Sequence, residues 1–168
     1  DRIACISLER EPGKAETLQR NTMERWDLDS GVTAERIRVG DDDYLVAMYN
    51  LDQVAFRKQL ELSIARKEVP ETWRDWQGNA QVSIAIRLGN SVANGLMYCF
   101  LPLGEEGKAP FAGYINANFY TKMDRRSVNE GVGLNKHFID IAARLSCRLI
   151  DFLIKKNWPE APGAVVDL

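Results

Sequence analysis

The amino-acid sequence predicts an α+β fold, a single mostly antiparallel sheet with helices packed on it. Two patterns and one spacing carry this. Val82, Ile84, Ile86 and Leu88 alternate with Gln81, Ser83, Ala85 and Arg87, the period-two signature of a strand with one face on a core. Leu134, Phe138, Ile141, Leu145, Leu149 and Phe152 recur at helical spacing, while Lys136, Asp140, Arg144, Arg148 and Lys155 lie off that stripe. The strand-like runs in the second half are joined by short connections, which favours neighbouring antiparallel strands.

Each element follows in order. Ile3 to Leu8 is apolar and β-rich and predicts a buried strand, punctuated by Pro12-Gly13. Ala15, Leu18, Thr22 and Trp26 stand at helical spacing and predict a helix over 14–26, with Asp27 to Gly31 as a turn. Arg36 to Val39 and Tyr44 to Tyr49 flank Gly40-Asp41-Asp42-Asp43, the pattern of a hairpin. Asp52 is a good N-cap for a helix to about Lys67, with Phe56, Leu60 and Ile64 on one stripe and Pro70 at its end. After the strand at 82–88, Gly89-Asn90 and Asn94-Gly95 bracket a turn. Leu96 to Leu101 is apolar on both faces and predicts a central, buried strand. Leu103 to Pro110 is a loop. Ile115, Ala117 and Phe119 alternate with Asn116 and Asn118, completing a three-strand meander. The long helix from Leu134 is stopped by Asn157 and Pro159. The expected order is strand, helix, hairpin, helix, three-strand meander, long helix. It makes one domain over 1–168, and the start at Asp1 and the apolar end at Ala164-Val165-Val166 suggest a piece of a longer chain.

Composition narrows the function classes. A chain of 168 residues can bury a core without disulfide or metal staples. It is 45% hydrophobic and 27% charged, which excludes disorder as its default. A net charge of −2 argues against a dedicated nucleic-acid binder. No apolar run is long enough for a membrane span, and no signal-peptide pattern opens the chain. Cys5, Cys99 and Cys147 lie far apart in apolar runs and read as buried free thiols. With His137 the single histidine, no metal site is assigned. A cytoplasmic protein without membrane contact is the expectation.

Hydrolytic and P-loop motifs are absent, and no catalytic residue is assigned. His137 reads as an exposed or capping residue near the start of the long helix. Asp41-Asp42-Asp43 offers oxygen ligands for a divalent cation, but beside Gly40 it reads as a solvated turn. Trp73 and Trp76 offer an aromatic surface or cover the edge of the core. Glu105-Glu106 reads as solubilising. Thr121-Lys122-Met123-Asp124-Arg125-Arg126 stands apart, with three cations against one aspartate directly after a strand. Arginine grips phosphate or carboxylate with two parallel hydrogen bonds, so Lys122, Arg125 and Arg126 suit an anion. The helix after Gly131-Val132-Gly133 would add its N-terminal dipole. Alternatively Ser127-Val128-Asn129-Glu130 forms a capping box and takes up the same amides. A basic loop can also be merely solvated or paired with neighbouring acids.

Tyr98-Cys99-Phe100-Leu101-Pro102-Leu103, then Gly113-Tyr114-Ile115-Asn116-Ala117-Asn118-Phe119, then Asp124-Arg125-Arg126 resembles a pattern in sacsin-like proteins. These carry an Hsp90-like ATPase domain of the gyrase, Hsp90, histidine kinase and MutL (GHKL) group. The likeness runs from near Asn94 to near Arg126. The Glu-x-x-x-Asn helix, Asp-x-Gly-x-Gly loop and glycine-rich lid that hold ATP in that group are missing here. The resemblance therefore implies the region following the ATPase domain, a second α+β domain of the ribosomal S5 domain 2-like kind. In gyrase and Hsp90 the second domain sends a basic residue to the γ-phosphate and relays dimer closure. The resemblance gives that role to Lys122, Arg125 or Arg126. ATP and Mg2+ are implied for the parent ATPase only, with none bound by this chain alone. The implied partners are the preceding ATPase domain, a protein client or a homodimer partner; at a net charge of −2 nucleic acid is not the expected partner. Two other classes compete: an interaction module using Trp26, Trp73 and Trp76, and a small enzyme acting on an anionic substrate through the basic loop and His137.

Overall fold

The computed structural model describes residues 5–11, 14–28, 31–104 and 106–168; of 5–11, 14–16 and Leu18 it describes the backbone alone. Ile3, Pro12-Gly13 and Glu105 lie outside the described residues. The strands are β1 (Cys5–Glu11), β2 (Lys14–Leu28), β3 (Val32–Val39), β4 (Asp42–Asn50), β5 (Gln81–Arg87), β6 (Leu96–Cys99), β7 (Leu101–Pro102) and β8 (Tyr114–Ala117). The helices are α1 (Gln53–Ala65), α2 (Gly133–Lys156) and α3 (Ala161–Asp167), with a 3-10 turn at Glu71–Asp75. The sheet runs β1-β2-β3-β4-β5-β8-β6-β7 and is antiparallel except between β6 and β8. The predicted α+β class holds.

The core lies between this sheet and the helices. β5 buries Val82, Ile84 and Ile86 while its alternate residues stay half-exposed, as its pattern dictates. α2 lies against β5 and β4 and buries Leu134, Phe138, Ile141, Leu145, Leu149 and Phe152. α1 meets α2 through Phe56, stacked on Phe138 with ring centres 6.2 Å apart. Phe119 meets the same ring edge-on at 5.7 Å. Asp52 caps α1 by accepting from the Ala55 N–H at 2.8 Å. Asn157 ends α2 in the left-handed conformation at φ +50°.

Three expectations require correction. Lys14–Leu28 is a strand, not a helix, because it pairs with β1 along its first part and with β3 along its second. Its residues from Gln19 to Arg25 are exposed on both faces, apart from a half-buried Arg20 that pairs with buried Glu35 at 2.8 Å. The last three long strands are not a meander. β8 inserts between β5 and β6, and β6 runs parallel to β8 with Leu96 opposite Tyr114. Leu96–Leu101 is accordingly near the sheet edge, broken at Phe100, and not central. Ala164-Val165-Val166 belongs to α3, whose Asp167 accepts from the Ser91 hydroxyl at 2.6 Å.

The hairpin turn carries an ion-pair cluster. Asp43 accepts from Arg36 Nη2 at 2.7 Å and Arg38 Nε at 2.6 Å, and Asp42 pairs with Arg87. The Arg38 hydrogen bond, opposed by burial and reinforced by Arg36, holds the Asp43 carboxyl down at about 2. A depressed carboxyl stabilises the fold above its unfolded pKa, and that stability is lost as pH falls from about 4 through about 2. Arg38 is half-exposed and solvent screens the pair, so Asp43→Asn should cost roughly 1 kcal/mol at neutral pH. Urea titrations should show the gap between wild type and variant closing as the pH falls through that window.

Candidate functional site

The basic loop is built by a closed turn after β8. Thr121 and Val128 form an isolated antiparallel bridge, and the Lys122 N–H reaches the Ser127 carbonyl at 3.2 Å. Inside it, the Arg125 N–H donates to the Lys122 carbonyl at 2.9 Å, with Arg125 at φ +55°. The Asp124 carboxylate accepts from the Arg126 N–H at 3.0 Å. Both ends of the loop are tied to α2 by Asn135, which is fully buried. Its Oδ1 accepts from the Tyr120 N–H at 2.8 Å, and its Nδ2 donates to the carbonyls of Tyr120 and Asn129 at 2.7 and 2.8 Å.

The loop leans on the Cys99–Gly104 segment. Arg125 Nη2 donates to the Cys99 carbonyl at 3.0 Å, and the Gly104 N–H donates to the Arg125 carbonyl at 3.3 Å. A Cβ on Gly104 would sit 3.1–3.2 Å from Arg126, so glycine admits that side chain close to the backbone. The three cations therefore differ. Arg125 is spent on a carbonyl, Arg126 lies over Gly104, and Lys122 borders a cleft of about 390 Å³ lined also by Met97, Glu106, Ser127 and Glu130. Among the described residues, the Lys122 ammonium makes no ion pair, and the buried Ser127 hydroxyl has no hydrogen-bond partner.

Neither expected use of the amides before α2 is realised. The helix begins at Gly133, so Ser127-Val128-Asn129-Glu130 forms no capping box at its start. Instead Glu68 accepts from the Gly133 N–H at 2.8 Å and the Ser63 hydroxyl accepts from the Leu134 N–H at 3.1 Å. A carboxylate supplied from just beyond α1 already answers the dipole, and the Gly133 and Leu134 amides are not open to an external anion.

The remaining candidates lie elsewhere. Trp26, Trp73 and Trp76 are half-buried and cover the core edge, so the surface of exposed tryptophans is not formed. Trp26 packs on Phe152 at 5.0 Å, Trp73 on Tyr120 at 5.5 Å and Trp76 on Phe56 at 5.1 Å. His137 is half-buried on α2 and does not line the cleft beside the loop; burial foremost lowers its pKa. Cys147 is exposed and Cys99 half-buried, against the expectation of buried thiols, and the side chain of Cys5 is outside the described set. Burial pushes the Cys99 thiol up. Asp42 and Asp43 face arginines, and no group of acidic, cysteine or histidine side chains that could hold a metal occurs among the described residues. No helix among them is long and apolar enough to cross a membrane.

Sequence reasoning missed Asn135, and it named Ser127 only as a helix cap. Asn135 sits off the polar face of a helix, and a lone asparagine inside an apolar stripe was its available signal. No family model matches the chain, and neither a curated protein nor a solved structure matches it.

Proposed function

We propose that this chain is a coupling domain of an Hsp90-like ATPase, which senses nucleotide phosphate through Lys122, Arg125 and Arg126 and relays the change to neighbouring domains. The observation that supports this reading is the bonding of three separate segments into one unit. The Asp-Arg-Arg turn, the Leu-Pro-Leu strand and the glycine-led β8 are joined by the Arg125–Cys99 and Gly104–Arg125 hydrogen bonds and the β6–β8 pairing. In this reading Lys122 is the cation that meets phosphate, and Arg125 positions the loop. ATP and Mg2+ would be held by the preceding ATPase domain.

A cation that touches the γ-phosphate has a different affinity for ATP and ADP states, and that difference is what can bias a two-state hinge. Asn135 transmits any movement of the loop into α2, because it bonds both loop ends. In the full-length protein, Lys122→Ala should lower ATP turnover by roughly tenfold, the effect of about 1.4 kcal/mol in the transition state. Its melting temperature should not change, because the side chain is exposed. The double variant Arg125→Ala, Arg126→Ala should abolish turnover with the domain still folded. Normal turnover in both variants would sink the reading. A probe at Lys122 that crosslinks to the preceding segment only with an ATP analogue would support it.

A further inference from the structure

We propose that the cleft beside the basic loop binds a small zwitterion of the amino-acid kind, with an ammonium and a carboxylate on one short aliphatic body. Its volume of about 390 Å³ lies at the small end for ligand sites, which suits such a molecule better than a whole nucleotide. Met97, Glu106 and Gly107 line one side, and Lys122 with the stretch from Ser127 to Gly131 lines the other.

Ser127 sets this cleft apart from an ordinary surface crease. The residue is 7% exposed, and its hydroxyl has no hydrogen-bond partner among the described residues. A buried hydroxyl left unpaired destabilises the fold, and alanine in its place would not carry that penalty. Ser127 lines the cleft, so a molecule seated there can supply the partner. A hydroxyl both donates and accepts, and it can serve either end of a zwitterion.

Charge selects the occupant. Lys122, Glu106 and Glu130 border the same cleft, yet none of them makes an ion pair among the described residues. A bare anion would meet Lys122 but also face two carboxylates. A bare cation would meet the carboxylates but also face Lys122. A molecule carrying both signs complements all three. Met97 and Val128, at 7% and 6% exposure, give its aliphatic part a firm apolar contact.

The walls are set before anything binds. The Met97 N–H donates to the Gly107 carbonyl at 2.7 Å, and the Lys122 N–H to the Ser127 carbonyl at 3.2 Å. Asn135 holds the Asn129 carbonyl at 2.8 Å. A site ordered in advance loses little entropy when its ligand arrives. The proposal shares Lys122 with the phosphate reading but does not rest on it, since it needs neither nucleotide nor a preceding domain.

The test is calorimetric titration of the full-length protein with L-valine. The controls are isovalerate, which lacks the ammonium, and isobutylamine, which lacks the carboxylate. Valine should bind, and each control should bind about tenfold more weakly or worse. Lys122→Ala and Glu130→Gln should each weaken valine about tenfold, the effect of losing one charge-assisted hydrogen bond. Ser127→Ala separates a site from a scaffold. It should weaken valine and yet raise the melting temperature of the valine-free protein, whereas a serine that serves only the fold would lower it when removed. No heat with valine would overturn the proposal, and so would isovalerate, isobutylamine, inorganic phosphate or Mg2+ binding as tightly as valine. Binding unmoved by Lys122→Ala and Glu130→Gln, or a lowered melting temperature in Ser127→Ala, would overturn it too. Normal ATP turnover in Lys122→Ala, with valine binding lost in the same variant, would leave this site standing and remove the phosphate reading.

Discussion

Asn135→Ala should cost about 3–5 kcal/mol, because it strips partners from three backbone groups at once. The Tyr120 N–H and the carbonyls of Tyr120 and Asn129 all bond to this one fully buried amide. A buried group left unpaired costs about 1–3 kcal/mol, and water entering the space left by alanine offsets part of it. Asn135→Leu should be worse, although leucine is the better helix former and the more apolar residue. It fills the space and keeps water from the same three groups. Asn135→Asp should also fail, since a carboxylate can accept from Tyr120 but only repels two carbonyl oxygens. Urea denaturation should rank wild type above Ala and Ala above Leu. The reverse order would mean that packing, not hydrogen bonding, fixes Asn135. The loop should loosen in all three variants, and Trp73, which packs on Tyr120, should report it as a change in fluorescence.

The elements legible in the sequence are those whose burial is periodic. β5 and α2 show one face to the core and one to solvent, so their patterns are visible without knowing their neighbours. β2 shows no such contrast. From Gln19 to Arg25 it is exposed on both faces bar Arg20, and its pairing with β1 and β3 decides its conformation. Trp26 gave it a false helical beat, because that ring is placed by Phe152 and Trp158 at the far end of the chain. The order β5-β8-β6 was likewise hidden. Short connections favour sequential pairing, yet the parallel pairing of Leu96 with Tyr114 joins strands separated by β7 and a loop.

The site divides in the same way. Three cations in five residues after a strand were visible as a basic loop. Their individual uses were not, because Arg125 is committed to a carbonyl 26 residues earlier. The amides before α2 could be read as capped locally or open to an anion. Both readings failed for one reason: Glu68 and Ser63 reach them across 65 and 71 residues of sequence. Local sequence can state the donors, but not which distant acceptor arrives first.

Gly95→Ala should be the most damaging small substitution in the chain. A Cβ there would stand 1.9 Å from the Phe111 carbonyl oxygen and 2.8 Å from that of Gly113. A comfortable carbon–oxygen contact is about 3.3–3.6 Å, so backbone must move by more than about 1 Å. The same stretch carries the Leu96–Gly113 and Ala109–Gly95 hydrogen bonds at 2.9 and 3.0 Å, and both fail if β6 is pushed off. Overpacking and lost bonds together should cost about 3 kcal/mol or more, lowering the melting temperature by roughly 6–12 °C. Two other glycines separate this cause from chain stiffness. Gly89 has open space but φ +87°, so alanine there meets only conformational strain, about 1 kcal/mol. Gly163 lies in α3 with nothing within 4 Å, and alanine should stabilise it by about 0.5–1 kcal/mol. If Gly95→Ala costs no more than Gly89→Ala, the close approach of β6 to the 109–113 segment is wrong. If it costs what the contact demands, the damage should reach the basic loop as well. Cys99 ends β6 and Phe100 follows it directly, so displacing the strand takes the Cys99 carbonyl from Arg125 and the Phe100 amide from Asn116.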